Sequence, residues 1–211
     1  DQAVDIAGRT GGDLGHAQAS RGSVYRTVFT HTGDTRALDE AVHSLEVSAS
    51  LTPKGPLRVR RQAALATNLA TRHDVGARSG DLRRAIQLMA DCVDQSVDPV
   101  SRLNCEANLA VMLLARAESF PGHAHDVARS IRLLRSVADT HPASEFRAIA
   151  RYHLASIMLE RAEQSESGKD PVDAREALRL VDSALSALPG DHLLRADLLV
   201  LRGRCRLAMV P

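Results

Sequence analysis

A small residue followed by an aliphatic one recurs along this chain at nearly constant spacing. The pairs are separated by 44, 45 and 47 residues and are Ala41-Val42, Ala85-Ile86, Ser130-Ile131 and Ala177-Leu178. A second marker, in the segment before each pair, recurs with steps of 45, 40 and 45 residues at Ser23-Val24, Asn68-Leu69, Asn108-Leu109 and His153-Leu154. A proline follows each unit with steps of 46, 43 and 47 residues, at Pro53, Pro99, Pro142 and Pro189. Three markers that share one period and one order predict four repeats of about 45 residues.

Each repeat carries two segments with the periodicity of an amphipathic helix. In the second segment of the first repeat, Leu38, Ala41, Val42 and Leu45 recur at helical intervals. Aromatic residues make up only 2% of the chain, so Leu, Ala, Val and Ile must fill the core, which suits close packing of helices. We predict no strand, and helices at residues 16–31, 36–50, 57–78, 82–95, 100–118, 125–139, 144–165, 171–187 and 192–208.

An aspartate stands just before the second predicted helix in three of the repeats. The residues are Asp34, Asp81 and Asp126. A carboxylate at this position accepts hydrogen bonds from the unpaired amides of the first turn. We therefore predict that all three are helix N-caps.

Antiparallel helix pairs at a fixed period predict an all-α fold, namely an α-solenoid in the form of a right-handed superhelix. Each pair must stack on its neighbours to bury its apolar face, and a curved stack offers a concave surface to partners. The predicted repeats span residues 16–56, 57–99, 100–143 and 144–191, with a half-repeat at 192–208. Residues 1–15 are expected to be a tail or part of an earlier repeat.

The charge balance gives no reason to expect a polyanionic partner. Formal net charge is +1, from 27 basic and 26 acidic residues, so we expect neither nucleic acid nor an anionic membrane surface as a partner. The chain has no apolar run long enough to span a bilayer and no signal-peptide pattern at its start. Its three cysteines form no CxxC pair, which is typical of free thiols in a reducing compartment. We expect a cytoplasmic protein, and the missing initiator Met suggests a fragment of a longer chain.

Several of these residues resemble the tetratricopeptide repeat (TPR) family. The resemblance covers about residues 16–208 and lies in Asn68-Leu69-Ala70 and Asn108-Leu109-Ala110, in the small-aliphatic pairs and in the closing prolines. The period is longer than the family's usual value of about 34 residues. Gly33-Asp34 followed by "ALDEAV" resembles the extended repeats of bacterial multidomain proteins, which often also carry a caspase-like CHAT protease or a STAND nucleotide switch.

The resemblance implies a peptide-binding row on the concave face. It places Asn68 and Asn108 there, where a side-chain amide can pair with a peptide bond through both its donor and its acceptor. The alternative is that each asparagine bonds the neighbouring helix turn. His153 occupies the matching position and either lines the groove or satisfies a local carbonyl. The full candidate set is Asn68, Asn108, His153, Asn104, Thr71, Arg147 and Arg151.

The arginines of the fourth repeat have two interpretations. Arg147 and Arg151, together with Arg135, either flank the groove and receive an acidic ligand or form a solvated helix face. A carboxylate clamp of the kind used by chaperone-binding TPRs is not supported, because Ala64 and Asn104 stand where basic residues are needed.

Metal binding and catalysis have little support in the sequence. His123-x-His125, with Asp126 beside it, is the one close histidine pair, and no further ligands complete a zinc set, so we interpret it as a polar loop. Cys92 and Cys105 lie in apolar helical patterns, where buried thiols are usually inert. We expect no cofactor.

The sequence therefore predicts a non-enzymatic interaction scaffold. Its partner would be a protein, a peptide or another domain of its own full-length chain. The first alternative is a regulatory or sensor region of a larger enzyme, such as a CHAT-type protease or a STAND NTPase. The second is an enzyme with a site inside the superhelix.

Overall fold

Every regular element among the described residues is a helix. The computed structural model describes residues 14–76, 78–164 and 171–210. The helices are α1 Leu14–Thr32, α2 Thr35–Leu51, α3 Pro56–Gly76, α4 Ser79–Gln95, α5 Pro99–Ser119, α6 Ala124–Thr140, α7 Ser144–Glu163, α8 Pro171–Ala187 and α9 Leu194–Ala208.

The predicted helices are confirmed in number and order within these ranges, and their ends differ by a few residues at most. Each α-hairpin of the predicted repeats is present as two consecutive helices. The tail predicted for residues 1–15 lies outside the described residues, apart from the start of α1 at Leu14. No helix in the described part of the chain combines the length and apolar character needed to cross a bilayer.

The chain divides into two compact units at Met112 and Leu113, inside α5. In the N-terminal unit, α1 packs on α2, α2 on α3 and α3 on α4. In the C-terminal unit, α6 packs on α7, α7 on α8, and α9 on both α8 and α7. Within each unit, successive helices therefore pack against one another, which is the arrangement of a helical repeat.

The recurring small residues lie where the second helices are fully covered. Ala41, Ala85, Ser130 and Ala177 are all 0% exposed. Of the described glycines, Gly22 of α1 has the closest neighbours: a Cβ placed there would lie 2.8 Å from Cγ of Leu45 and 3.3 Å from the carbonyl oxygen of Ala41. The close approach of α1 to α2 at this point explains the glycine at position 22.

The second helix of each of the first three repeats ends at a buried polar residue in extended conformation. These C-cap residues are Thr52, Ser96 and His141, and their backbone N–H groups bond the last turn. Extended backbone is what a proline requires of the residue before it. Pro53 and Pro142 follow directly, so the proline marker coincides with the place where the chain leaves the second helix.

An arginine from the next helix then bonds this helix end in all four repeats. Arg102 donates to the carbonyl of Ser96 at 3.0 Å, and Arg147 donates to that of His141 at 2.6 Å. Arg61 donates to the Thr52 hydroxyl, and Arg195 reaches the carbonyl of Leu188 at 3.1 Å. These four contacts are here termed arginine clasps. Three of them supply a donor to a carbonyl at the helix end, which a helix cannot satisfy internally, whereas Arg61 donates to the Thr52 hydroxyl.

The N-cap prediction is right for one aspartate and wrong for two. The Asp34 carboxylate accepts a hydrogen bond from the Arg36 amide at 3.0 Å and caps α2. Asp81 and Asp126 instead lie inside the first turns of α4 and α6, because those helices begin three residues earlier than the cap would require. Each of these two carboxylates binds an arginine near the end of the preceding helix, which replaces the capping role.

Candidate functional site

The two asparagines of the predicted binding row have the same local bond and different exposure. Nδ2 of Asn68 donates to the carbonyl of Ala64 at 2.8 Å, and Nδ2 of Asn108 donates to that of Asn104 at 3.0 Å. Asn68 is 7% exposed, whereas Asn108 is exposed to solvent. Oδ1 of Asn68 has no hydrogen-bond partner among the described residues. These bonds to the preceding helix turn are the ones expected if the asparagines have a structural role. Peptide binding by this pair stays a prediction.

The other polar candidates also bond backbone carbonyls. Thr71 donates to Thr67 at 3.1 Å, one turn earlier in α3. Arg151 donates to Ala138 at 3.3 Å, and Arg147 forms the clasp at the end of α6. These contacts give both arginines a structural role, while Arg135 is exposed. Asn104 is partly buried and lends its carbonyl to Asn108. Ligand contacts by this group stay a prediction.

His153 is the member of the predicted row that lines a cavity. The cavity, of about 400 Å³, lies in the C-terminal unit between the end of α5, the loop before α6, and α7. Burial lowers the pKa of His153 below its ordinary value, because a charged imidazolium loses its hydration there. The imidazole is therefore neutral at physiological pH and offers one donor and one acceptor.

Two carboxylates share this cavity with His153. Glu118 lies near the end of α5 and Glu160 near the end of α7. The pKa of Glu118 is raised, first by burial and second by the negative charge of Glu160. Neither carboxylate forms an ion pair within the described ranges of the chain. The remaining wall is largely apolar and includes Leu114, Phe120, Val127 and Ile157.

We call this cavity the acidic pocket. Its two like charges face an apolar wall with no counter-ion from the described residues, so the arrangement favours an occupant that is both cationic and partly aliphatic. Nearby Ser156 donates its hydroxyl to the carbonyl of Tyr152 at 3.1 Å, and the Tyr152 ring meets the His153 ring edge-on. The serine hydroxyl is thus engaged with a backbone carbonyl.

Sequence reasoning found His153 but missed both glutamates. They are 42 residues apart, on helices of different predicted repeats, and belong to no motif. The one hint was that Glu118 opens the longer loop between the two helices of its repeat.

The histidine pair lies at the start of α6, with His123 before the helix and His125 in its first turn, and both residues are close to Asp126. One potential ligand atom from each of His123, His125 and Asp126 lies within 4.8 Å of the others. Both oxygens of Asp126 also accept from Arg116, at 2.6 and 2.8 Å. The pKa of Asp126 is lowered, mainly by Arg116 and to a smaller extent by the two histidines. The carboxylate is therefore already matched by a guanidinium.

Comparison with known proteins adds no relative. No family model, curated protein or solved structure matches this chain. The helical-repeat description rests on the chain's own periodicity and on the packing of successive helices within each unit.

Proposed function

We propose that this chain is a tetratricopeptide-like interaction module that binds an extended segment of a protein, without catalysing a reaction. Its helix pairs would form the right-handed superhelix expected from the repeat period, in a cytoplasmic bacterial protein. The bound segment would belong to a partner protein or to another domain of the same full-length chain. Support comes from four arginine clasps at equivalent places, which make the repeats structurally uniform.

The acidic pocket is the observation that carries this proposal. A lysine or arginine side chain has an aliphatic stem that suits the wall near Leu114 and Ile157, and a charged end that suits Glu118 and Glu160. The pKa of Glu118 is raised first by desolvation and second by the repulsion between its charge and that of Glu160. A bound cation would remove that repulsion, so the free energy of binding would include relief of the repulsion between the two charges.

The predicted asparagine row supplies a second contact in the proposal. Asn108 is exposed, and its bond to Asn104 uses one N–H of the amide, leaving Oδ1 and the other N–H to meet a peptide bond. Asn68 is buried, so its substitution would be felt by the fold as well as by a ligand. Asn108→Ala is therefore the cleaner test of this contact.

A peptide-display selection on the immobilised protein tests the proposal. We expect the selected peptides to share a lysine or arginine at one position. The best of them, titrated calorimetrically, should bind the Glu118→Gln, Glu160→Gln double variant about 5- to 150-fold more weakly, since removing a charge-assisted hydrogen bond costs about 1–3 kcal/mol.

The matched control is Asp139→Asn, which removes an exposed carboxylate of the same unit outside the pocket and should leave affinity unchanged. Asn108→Ala should weaken binding without moving the melting temperature. Selected peptides that lack a basic residue and bind the double variant as tightly as the wild type would refute the pocket as the binding site.

A further inference from the structure

Three side chains with metal-ligating atoms meet where the chain enters α6. Nδ1 of His123 lies 3.6 Å from Oδ2 of Asp126, and Nε2 of His125 lies 3.3 Å from Oδ1 of the same carboxylate. One ligand atom from each of the three residues lies within 4.8 Å of the other two. In the described part of the chain, no other three histidine, cysteine or carboxylate side chains are placed to share an ion.

The separations are those of ligands around one ion. Zinc–nitrogen and zinc–oxygen bonds of about 2.0–2.2 Å at tetrahedral angles place neighbouring ligand atoms about 3.3–3.6 Å apart. The two imidazole–carboxylate distances, 3.3 and 3.6 Å, lie in this range. Ring nitrogens of the two histidines lie within 4.8 Å of each other. The His125 side chain is 71% exposed, so its ring is able to rotate and shorten that distance.

His123 has a ring nitrogen without a bonding partner. Its Nδ1 atom is buried and has no hydrogen-bond partner among the described residues. Buried polar atoms are nearly always bonded, and 3.6 Å is too long for a hydrogen bond to Asp126. An ion between this nitrogen and the carboxylate would lie at bonding distance from both. The unpaired nitrogen is therefore independent evidence for a ligand at this place.

The ion pair with Arg116 leaves the carboxylate of Asp126 able to bind an ion. An ionised carboxylate has about four acceptor positions, and Arg116 takes one on each oxygen, at 2.6 and 2.8 Å. Carboxylates that bind metals are commonly hydrogen-bonded in this way, which fixes their orientation. His123 also lines the acidic pocket with Glu118 and Glu160, whose negative charges oppose the positive charge of Arg116.

We propose that His123, His125 and Asp126 bind one divalent transition-metal ion of the zinc class. Two imidazoles and one carboxylate suit Zn²⁺, Ni²⁺ or Cu²⁺, whereas Ca²⁺ and Mg²⁺ prefer oxygen ligands. The exposure of His125 gives water access to the fourth position of a tetrahedral ion. Because His123 lines the acidic pocket, the bound ion fixes that part of the pocket wall.

Calorimetric titration of the chelator-treated protein with zinc chloride tests the site. We expect one zinc ion per chain to bind through this group. His123→Gln and His125→Gln should each bind zinc at least about tenfold more weakly, because loss of a hydrogen-bond partner of a ligand already costs about 10- to 100-fold in affinity. The matched control is His43→Gln, which removes an exposed histidine of α2 in the N-terminal unit and should bind zinc as the wild type does.

Two further measurements check the ligands and the fold. In nitrogen-15 spectra of the histidine rings, zinc should change the signals of two of the nine histidines, and each glutamine variant should remove one of these two. Zinc should raise the melting temperature of wild type and His43→Gln but not of His125→Gln. Without zinc, His125→Gln should melt with the wild type, because the replaced side chain is exposed.

Three results would each overturn the proposal. They are a wild type that gives no heat of binding at millimolar zinc, wild-type affinity in both His123→Gln and His125→Gln, and calcium binding as tight as zinc binding. Because His125 is exposed, its variant decides the matter even if His123→Gln does not fold.

Discussion

Arg116 and Asp126 form a two-pronged ion pair in which the carboxylate is 1% exposed and the guanidinium 21%. Nε and an Nη of Arg116 donate to the two oxygens of Asp126 at 2.6 and 2.8 Å. The equivalent pair of the preceding repeat, Arg72 and Asp81, has the same form at 2.7 and 2.9 Å, with the carboxylate 14% exposed. In the fourth repeat, Arg161 and Asp173 lie 3.5 Å apart and are 59% and 25% exposed. The pair therefore joins the two helices of a hairpin in three repeats, with a different degree of burial in each.

Replacing these aspartates by asparagine should therefore give a graded series of stability losses. We expect about 3 kcal/mol for Asp126→Asn, because the partly buried guanidinium of Arg116 loses its counter-charge. Asp81→Asn should cost about 1–3 kcal/mol and Asp173→Asn less than about 1 kcal/mol, because its pair is solvated. Urea unfolding curves of the three variants measure the order of these stability losses. Equal losses at all three sites would contradict the role given to burial.

Removing an arginine clasp should weaken the unit that holds it. Arg147→Met keeps much of the aliphatic stem but leaves the carbonyls of His141 and Pro142 without their donor, and should lower the free energy of unfolding by about 1–2 kcal/mol. Arg132→Met, on an exposed position of α6, is the matched control and should change stability by less than about 0.5 kcal/mol. If Arg147→Met and Arg132→Met have the same melting temperature, the clasp does not contribute to stability.

Gly22 and Gly203 should respond in opposite directions to alanine. At Gly22 the added Cβ would meet Leu45 at 2.8 Å, so overpacking of about 1–3 kcal/mol should exceed the gain of about 1 kcal/mol in helix propensity. At Gly203, in α9, nothing lies within 4 Å of the added atom, and Gly203→Ala should stabilise by about 0.5–1 kcal/mol. Thermal melts of the two variants test the sign, and a stabilised Gly22→Ala would show that α1 and α2 have more room than the distance allows.

His153 should make stability depend on pH in the weakly acidic range. Burial lowers the folded-state pKa of His153 below 6.5, so between that lowered value and 6.5 the unfolded chain binds more protons than the folded one. The stabilisation linked to neutral His153 is fully present above about pH 6.5 and is lost as pH falls through the folded value. His153→Gln should remove this dependence.

The measurement is the difference in unfolding free energy between wild type and His153→Gln from pH 5 to 7.5. This difference should be constant above about pH 6.5. Below that pH, the unfolding free energy of the wild type should fall relative to that of His153→Gln. Parallel curves over the whole range would mean that the imidazole titrates as freely in the folded chain as in the unfolded one.

The repeat and its helices were predictable because their signals are local. Apolar periodicity, turn glycines and the prolines lie within a few residues of the element they define, and the helix order follows from them. The prediction for Asp81 and Asp126 failed because an N-cap depends on the first helical residue, and a shift of three positions turns a cap into an ion-pair partner. Asn68 and Asn108 occupy the equivalent position of two repeats, yet only Asn68 is buried. Burial of a side chain at this position depends on the neighbouring helices.

The acidic pocket was out of reach of the sequence. The approach of Glu118 and Glu160 depends on the rotation of α5 and α7 about their axes, which tertiary packing sets.

The arginine clasps point backward along the chain, and this gives the protein a direction of assembly. The donor that completes the end of α2, α4, α6 or α8 lies six to nine residues beyond the acceptor it bonds, in the helix that follows. The bonds at the end of each hairpin therefore become complete only once the first two turns of the following helix are present. The order of synthesis is thus also the order in which the repeats become complete.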